Sequence, residues 1–249
     1  MIELTTQEYS GGVPVLALVA EGMALIVYAY LMIRLGTKWY QRRRIATFNL
    51  FLSFTFYFIA ILTLFSTKST DFLTGVERVA DLGINLGYAF SLIGNIFLFY
   101  FTENIFYEEP HHYLREFITF GNGITFGFLM IFCFQVQEFP FLQIPTQYIP
   151  THFLIWHVII SSLGFLILLK SAFQSSFNAK EKLPKAGFLM IGCSAIFELL
   201  VFVFFFIDRF VGGGFTQWYF LAWLSASLAG LFSMTGFLMP AWFKKIVGN

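Results

Sequence analysis

The chain has 249 residues, of which 58% are hydrophobic and only 12% charged, and 36 are phenylalanine. A soluble domain averages roughly 25% charged residues, so this composition excludes an ordinary globular enzyme and indicates an integral membrane protein. The formal net charge of +1 gives no sign of nucleic-acid binding, and where the charges sit matters more than their sum.

The opening stretch MIELTTQEYSGG is acidic and has no basic region ahead of an apolar run, which argues against a cleaved signal peptide. A helix needs roughly 17–25 apolar residues to cross a bilayer. Seven stretches meet that requirement, at about 13–35, 46–66, 79–102, 116–136, 151–173, 187–207 and 217–241. They predict an all-α fold, a single polytopic domain built as a seven-transmembrane helix bundle over residues 1–249.

In the first span Glu21 shares a stripe with Ala17, Ala24 and Tyr28. The connection that follows is basic, with Arg34, Lys38, Arg42, Arg43 and Arg44. The third span has two distinct faces. Asp81, Asn85, Tyr88, Leu92, Asn95, Phe99 and Thr102 follow at alternating steps of four and three, so most of its polar side chains share one stripe. Gly83, Gly87, Ser91 and Gly94 fall opposite as a small-xxx-small series, which lets neighbouring backbones approach closely. Such a helix is expected inside the bundle, with its polar side turned to the protein interior.

The third connection, FYEEPHHYLREF, holds Glu108, Glu109, His111 and His112 and reads as a solvated turn; adjacent histidines are its metal-binding alternative. The fourth, EFPFLQIPTQYIP, contains Pro140, Pro145 and Pro150, which rule out a regular helix. It reads as a stiff interfacial loop, with a lid over an outward pocket as the alternative. His157 in the fifth span has Ser161 and Gly164 on its face. Its neighbour His152 lies five residues away, off that face, so no bis-histidine haem site is expected, and no metal or cofactor. Glu198 is the charged residue of a Phe-rich sixth span, with Ser194 one turn before it. Gly212, Gly213 and Gly214 permit a tight turn before the seventh span. There Ala222, Ala226, Ala229, Ser233 and Gly236 describe a close-packing face, and Trp218, Tyr219 and Trp223 read as an outer aromatic belt, with a core-lining role as the alternative for Trp223, which is further in. Cys133 and Cys193 fall at different depths, so no disulfide is expected between them.

Twelve of the 15 Lys and Arg residues fall in the first, third and fifth connections and the C-terminus, against Lys68, Arg78 and Arg209 on the other side. This is the positive-inside pattern, and it predicts an external N-terminus and a cytoplasmic C-terminus in the cytoplasmic (inner) membrane.

Intramembrane ionisable groups are costly and mark function by default. At ~1.5 Å per residue from the outer ends, Glu21, Asn85 and His157 lie roughly 9–12 Å deep and Glu198 roughly 14 Å, with Asp81 nearer the surface. Convergence of these five would line an outward pocket for a small apolar or amphipathic ligand. The competing reading is that each is paired or neutral and holds helices together. No nucleotide, hydrolase or metalloprotease motif is present, and no enzymatic activity is expected.

Seven spans and an external N-terminus resemble a microbial rhodopsin. Arg78-Val79-Ala80-Asp81 is similar to that family's arginine and counter-ion aspartate pattern, and Leu224-Ser225-Ala226-Ser227 to the stretch ending in its retinal-binding lysine. Ser227 stands where that lysine would be and no lysine lies within the seventh span, so Schiff-base retinal chemistry is excluded. The run from Gly236 through Pro240 to Lys245 resembles the last-helix exit of seven-helix input modules of prokaryotic sensors, which are followed by a cytoplasmic output domain. With no output domain expected here, a signal would pass to a separate protein partner, in the cytoplasm or the membrane, and Arg42–Arg44 are the candidate contact. The resulting expectation is a receptor-like sensor or signalling subunit. Its alternatives are a proton- or cation-coupled transporter using Glu198 and Glu21, and a structural subunit of a larger membrane complex.

Overall fold

The computed structural model describes residues 14–75, 77–107, 112–134, 151–211 and 215–248, without the side chains of 77, 78, 81, 112, 132–134, 151 and 152. Glu108, Glu109, His111, the proline-rich connection, Gly212–Gly214 and the acidic N-terminus lie outside the described residues. The described secondary structure is helical: α1 (Val15–Arg42), α2 (Ile45–Thr74), α3 (Glu77–Phe106), α4 (His112–Phe134), α5 (Thr151–Asn178), α6 (Lys182–Val211), α7 (Gln217–Ser233) and α8 (Ala241–Gly248).

Six of these helices are long and apolar enough to cross a membrane: α1, α2, most of α3, most of α5, α6, and α7 with its extension to Leu238. This is the architecture of a multi-pass membrane bundle. Among the described residues α4 does not meet that measure. Its outer face of Phe117, Phe120, Ile124, Phe128 and Ile131 is exposed, and the side chains of 132–134 at its apolar end lie outside the described residues.

The helices outrun the apolar stretches. At ~1.5 Å per residue, a 30-residue helix such as α2 is about 45 Å long, well beyond a hydrocarbon core of about 30 Å. Nothing in the sequence breaks α2 before Gly75, whose left-handed φ of 68° ends it while its N–H bonds the Asp71 carbonyl at 2.7 Å. Lys68 is therefore a helix residue, not a loop residue as its position after an apolar stretch suggests. α1 ends in the same way at Arg43, with φ 52° and its N–H on the Trp39 carbonyl.

Helix contacts run α1–α2–α3–α5–α6–α7 and back to α1, a closed ring of six. α4 stands outside it against α3 and α5, tied by Trp156 Nε1 donating to Thr125 Oγ1 at 2.9 Å. The stripe Ala17, Glu21, Ala24, Tyr28, Leu31, Leu35 is the buried face of α1, while Leu16, Met23, Ile26 and Ile33 face outward. The glycine series of α3 meets α2. A Cβ on Gly83 would strike Thr67, one on Gly87 would come 2.7 Å from Leu64, and one on Gly94 would come 2.7 Å from Tyr57. The opposite α3 stripe is buried as expected at Leu92, Asn95, Phe99 and Thr102.

On α7, Ala222, Ala226, Ala229, Ser233 and Gly236 are all buried. Ser194 of α6 donates to the Ala229 carbonyl at 3.0 Å and pairs with Ser233 at 2.6 Å. The end of α7 widens into a π-helical turn, Met234–Leu238, stopped by Met239 in the left-handed region and by Pro240. Cys193 is a free thiol, and the side chain of Cys133 lies outside the described residues.

Candidate functional site

The polar residues marked by the sequence divide between two places. The first is a buried knot where the start of α1, the end of α2 and the start of α7 meet. Lys68 Nζ lies 2.5 Å from Glu21 Oε1 and also donates to the Tyr219 hydroxyl, which in turn donates to Glu21. The ammonium sits over the Tyr219 and Phe215 rings, 4.7 and 5.4 Å from their centroids. Tyr219 is thus an interior residue, not part of an outer belt.

The second place is a cavity of about 100 Å³ lined by all six helices of the ring. Glu198 and His157 both line it, together with Tyr28, Tyr88, Phe202 and Trp223. Tyr28 O–H donates to Glu198 Oε1 across the bundle, from α1 to α6. His157 stands against the Tyr88 ring at 4.9 Å and is 2% exposed, and neither of its ring nitrogens has a hydrogen-bond partner. The indole of Trp223, 3% exposed, is engaged with the Tyr219 side chain. Buried polar groups are nearly always paired, so a buried imidazole with both nitrogens unpaired beside a void is unusual.

The knot and the cavity adjoin. Leu64 and Trp223 line the void, and Lys68 and Tyr219 follow them by one helical turn toward the same end. Phe205, also in the wall, contacts Tyr219 at 5.7 Å and Trp223 at 5.6 Å. Glu21 is therefore a neighbour of the cavity and not part of its lining. Its charge is compensated by Lys68.

Of the residues expected in one cleft, Glu198 and His157 line the cavity, and Glu21 and Asn85 are not among its lining. Asn85 is half-buried on α3 and does not line the void. The α3 face that does line it carries Gly87, Tyr88 and Ser91, one turn further along. Asp81 lies in α3, and its side chain is outside the described residues. Asn95 accepts from Tyr57 O–H at 2.7 Å, which uses the polar end of another wall residue. Arg42, Arg43 and Arg44 are exposed, with the Arg43 guanidinium over the Trp39 and Tyr40 rings.

The residue missed from sequence is Lys68; Tyr88, on the inward stripe of α3, and Trp223, with its core-lining alternative, are the other wall residues the sequence marked. Lys68 was findable: no Gly or Pro interrupts the chain between the apolar stretch and Gly75, so Leu64 and Lys68 share a helix face.

No family model matches the chain, and no curated protein or solved structure matches it. The geometry alone carries the functional reading.

Proposed function

We propose that the chain is a receptor-like ligand-binding protein of the cytoplasmic membrane, crossing it seven times with the N-terminus outside. A small apolar or amphipathic ligand occupies the cavity and meets Glu198 and His157, and the bundle passes the change to a separate partner. The observation that carries this reading is the void itself, where His157 keeps both ring nitrogens without a protein partner. A packed core built only for stability has no use for them.

The seventh crossing is α4, whose apolar outer face and contacts with α3 and α5 suit lipid on one side and the bundle on the other. The orientation rests on the basic end of the bundle. Lys38 Nζ reaches the Phe237 carbonyl, which places the α1–α2 connection beside the end of α7. Exposed Arg42–Arg44 there provide a face for anionic lipid or a cytoplasmic partner. A ligand acts through such a bundle only by differing in affinity for two helix arrangements.

The test is thermal unfolding of the purified chain in lipid nanodiscs with butanol as a small amphipathic probe. At ten times its dissociation constant a ligand stabilises by roughly 1.4 kcal/mol, and His157→Ala is expected to weaken that response. Absence of any shift with neutral or charged probes, and of any co-purified small molecule in native mass spectrometry, would overturn the reading. A second reading, proton- or cation-coupled transport, is favoured by the intramembrane carboxylate of Glu198 in the cavity. It requires flux in proteoliposomes that Glu198→Gln abolishes.

A further inference from the structure

We propose that the cavity is selective for a small organic cation, an amine or quaternary ammonium with a short apolar group, held by Glu198 against an aromatic wall. This rests on the ligand-binding reading above and names the class of ligand.

Three features of the void converge on that class. Among the described residues its acidic group is the Glu198 carboxylate, and no Lys or Arg lines it. Glu198 receives one donor from the protein, Tyr28 O–H. A carboxylate offers about four acceptor positions, so one donor leaves most of its capacity unused. Lys68, one turn beyond the wall residue Leu64, is already committed to Glu21 and Tyr219. Among the described residues Glu198 has no ion-pair partner, and an incoming cation would supply one.

The wall is suited to the same partner. Tyr28, Tyr57, Tyr88, Phe165, Phe202 and Trp223 surround the void, and the negative faces of such rings attract ammonium groups. An anionic ligand would meet those faces and the carboxylate together. A purely apolar ligand would leave the ring nitrogens of His157 unmet. A cation carrying a hydroxyl or carbonyl group satisfies Glu198 with its charge and His157 with its polar substituent.

Size limits the ligand further. A void of about 100 Å³ is smaller than the roughly 150 Å³ cavity that admits benzene, so about four or five heavy atoms fit without rearrangement. Ligands that small bind at best at about micromolar concentration.

The experiment uses the full chain in nanodiscs and four probes of near-equal size: butylammonium, tetramethylammonium, butanol and butyrate. Binding is read by thermal shift and by saturation-transfer NMR. The expected result is that at least one of the two cations binds at least tenfold more tightly than butanol, with butyrate weakest. Glu198→Gln is expected to remove that preference while butanol binding persists. Ala60→Leu, which adds volume from the α2 wall and leaves the carboxylate intact, is expected to weaken all binding; it carries the test should the Gln variant not fold. Equal affinity for butanol and both cations overturns the proposal but leaves the ligand-binding reading standing. Cation binding unchanged in either variant also overturns it, since the cation then sits elsewhere. If no probe binds at all, both readings fall.

Discussion

Lys68 and Glu21 form an ion pair 2.5 Å long between α2 and α1, with side chains 4% and 0% exposed. Both charges are out of solvent, and neither tolerates loss of the other. Removing one partner of such a pair costs about 3–5 kcal/mol, because the survivor is left buried and uncompensated. Lys68→Met and Glu21→Leu are each expected to lower the unfolding midpoint in micelles strongly. The double variant Lys68→Met with Glu21→Leu should recover much of the loss. Additive losses in that cycle would show that the two side chains act independently.

Gly236 and Gly123 should respond in opposite ways to alanine. A Cβ on Gly236 would lie 2.9 Å from the Gly187 carbonyl and 3.0 Å from the Ile191 nitrogen, both backbone atoms of α6 that no rotamer change can move. Overpacking of this kind costs about 1–3 kcal/mol. A Cβ on Gly123 meets nothing within 4 Å. Alanine there removes only the conformational freedom of glycine, a gain of up to about 1 kcal/mol in a helix. Melting of the two variants side by side checks both signs.

Lys38 holds the end of α7. Its Nζ donates to the Phe237 carbonyl at 2.5 Å, inside the π-helical turn. Lys38→Met should leave that carbonyl unsatisfied and cost about 0.5–1.5 kcal/mol locally. Hydrogen exchange over residues 234–240 should then rise roughly two- to tenfold with the rest of the bundle unchanged. Unaltered exchange in this turn would show that the lysine contributes nothing to it.

Ser194 joins α6 to α7 through the Ala229 carbonyl and the Ser233 hydroxyl. Ser194→Ala removes both contacts, and the expected loss is about 0.5–1.5 kcal/mol per hydrogen bond. Ser194→Thr preserves the hydroxyl but adds a methyl group to a face that packs closely. If the helices separate at this seam, Thr should be worse than Ala; if hydrogen bonding dominates, the order reverses. Chemical unfolding of both variants decides between the two.

Much of the architecture was readable along the chain. Apolar runs separated by basic turns mark membrane helices because a bilayer demands length and apolarity from each segment on its own. The glycine series of α3 and the alanine series of α7 were legible as close-packing faces, since a helix face is set by residue spacing alone. The stripe of α1 that carries Glu21 and Tyr28 was legible for the same reason.

Partnership was not. Glu21 meets Lys68 and Tyr219, at separations of 47 and 198 residues, and Tyr28 meets Glu198 at a separation of 170. Spacing says which side chains share a face; it does not say which neighbour that face meets, because this depends on the order of helices around the ring and on their relative rotation. The same unknown separated Glu21 from Glu198, which lie on different helices at similar depth yet serve different neighbours. A single helix carries its own periodicity in its sequence. A cavity belongs to six helices at once, and only their packing decides which side chains surround it.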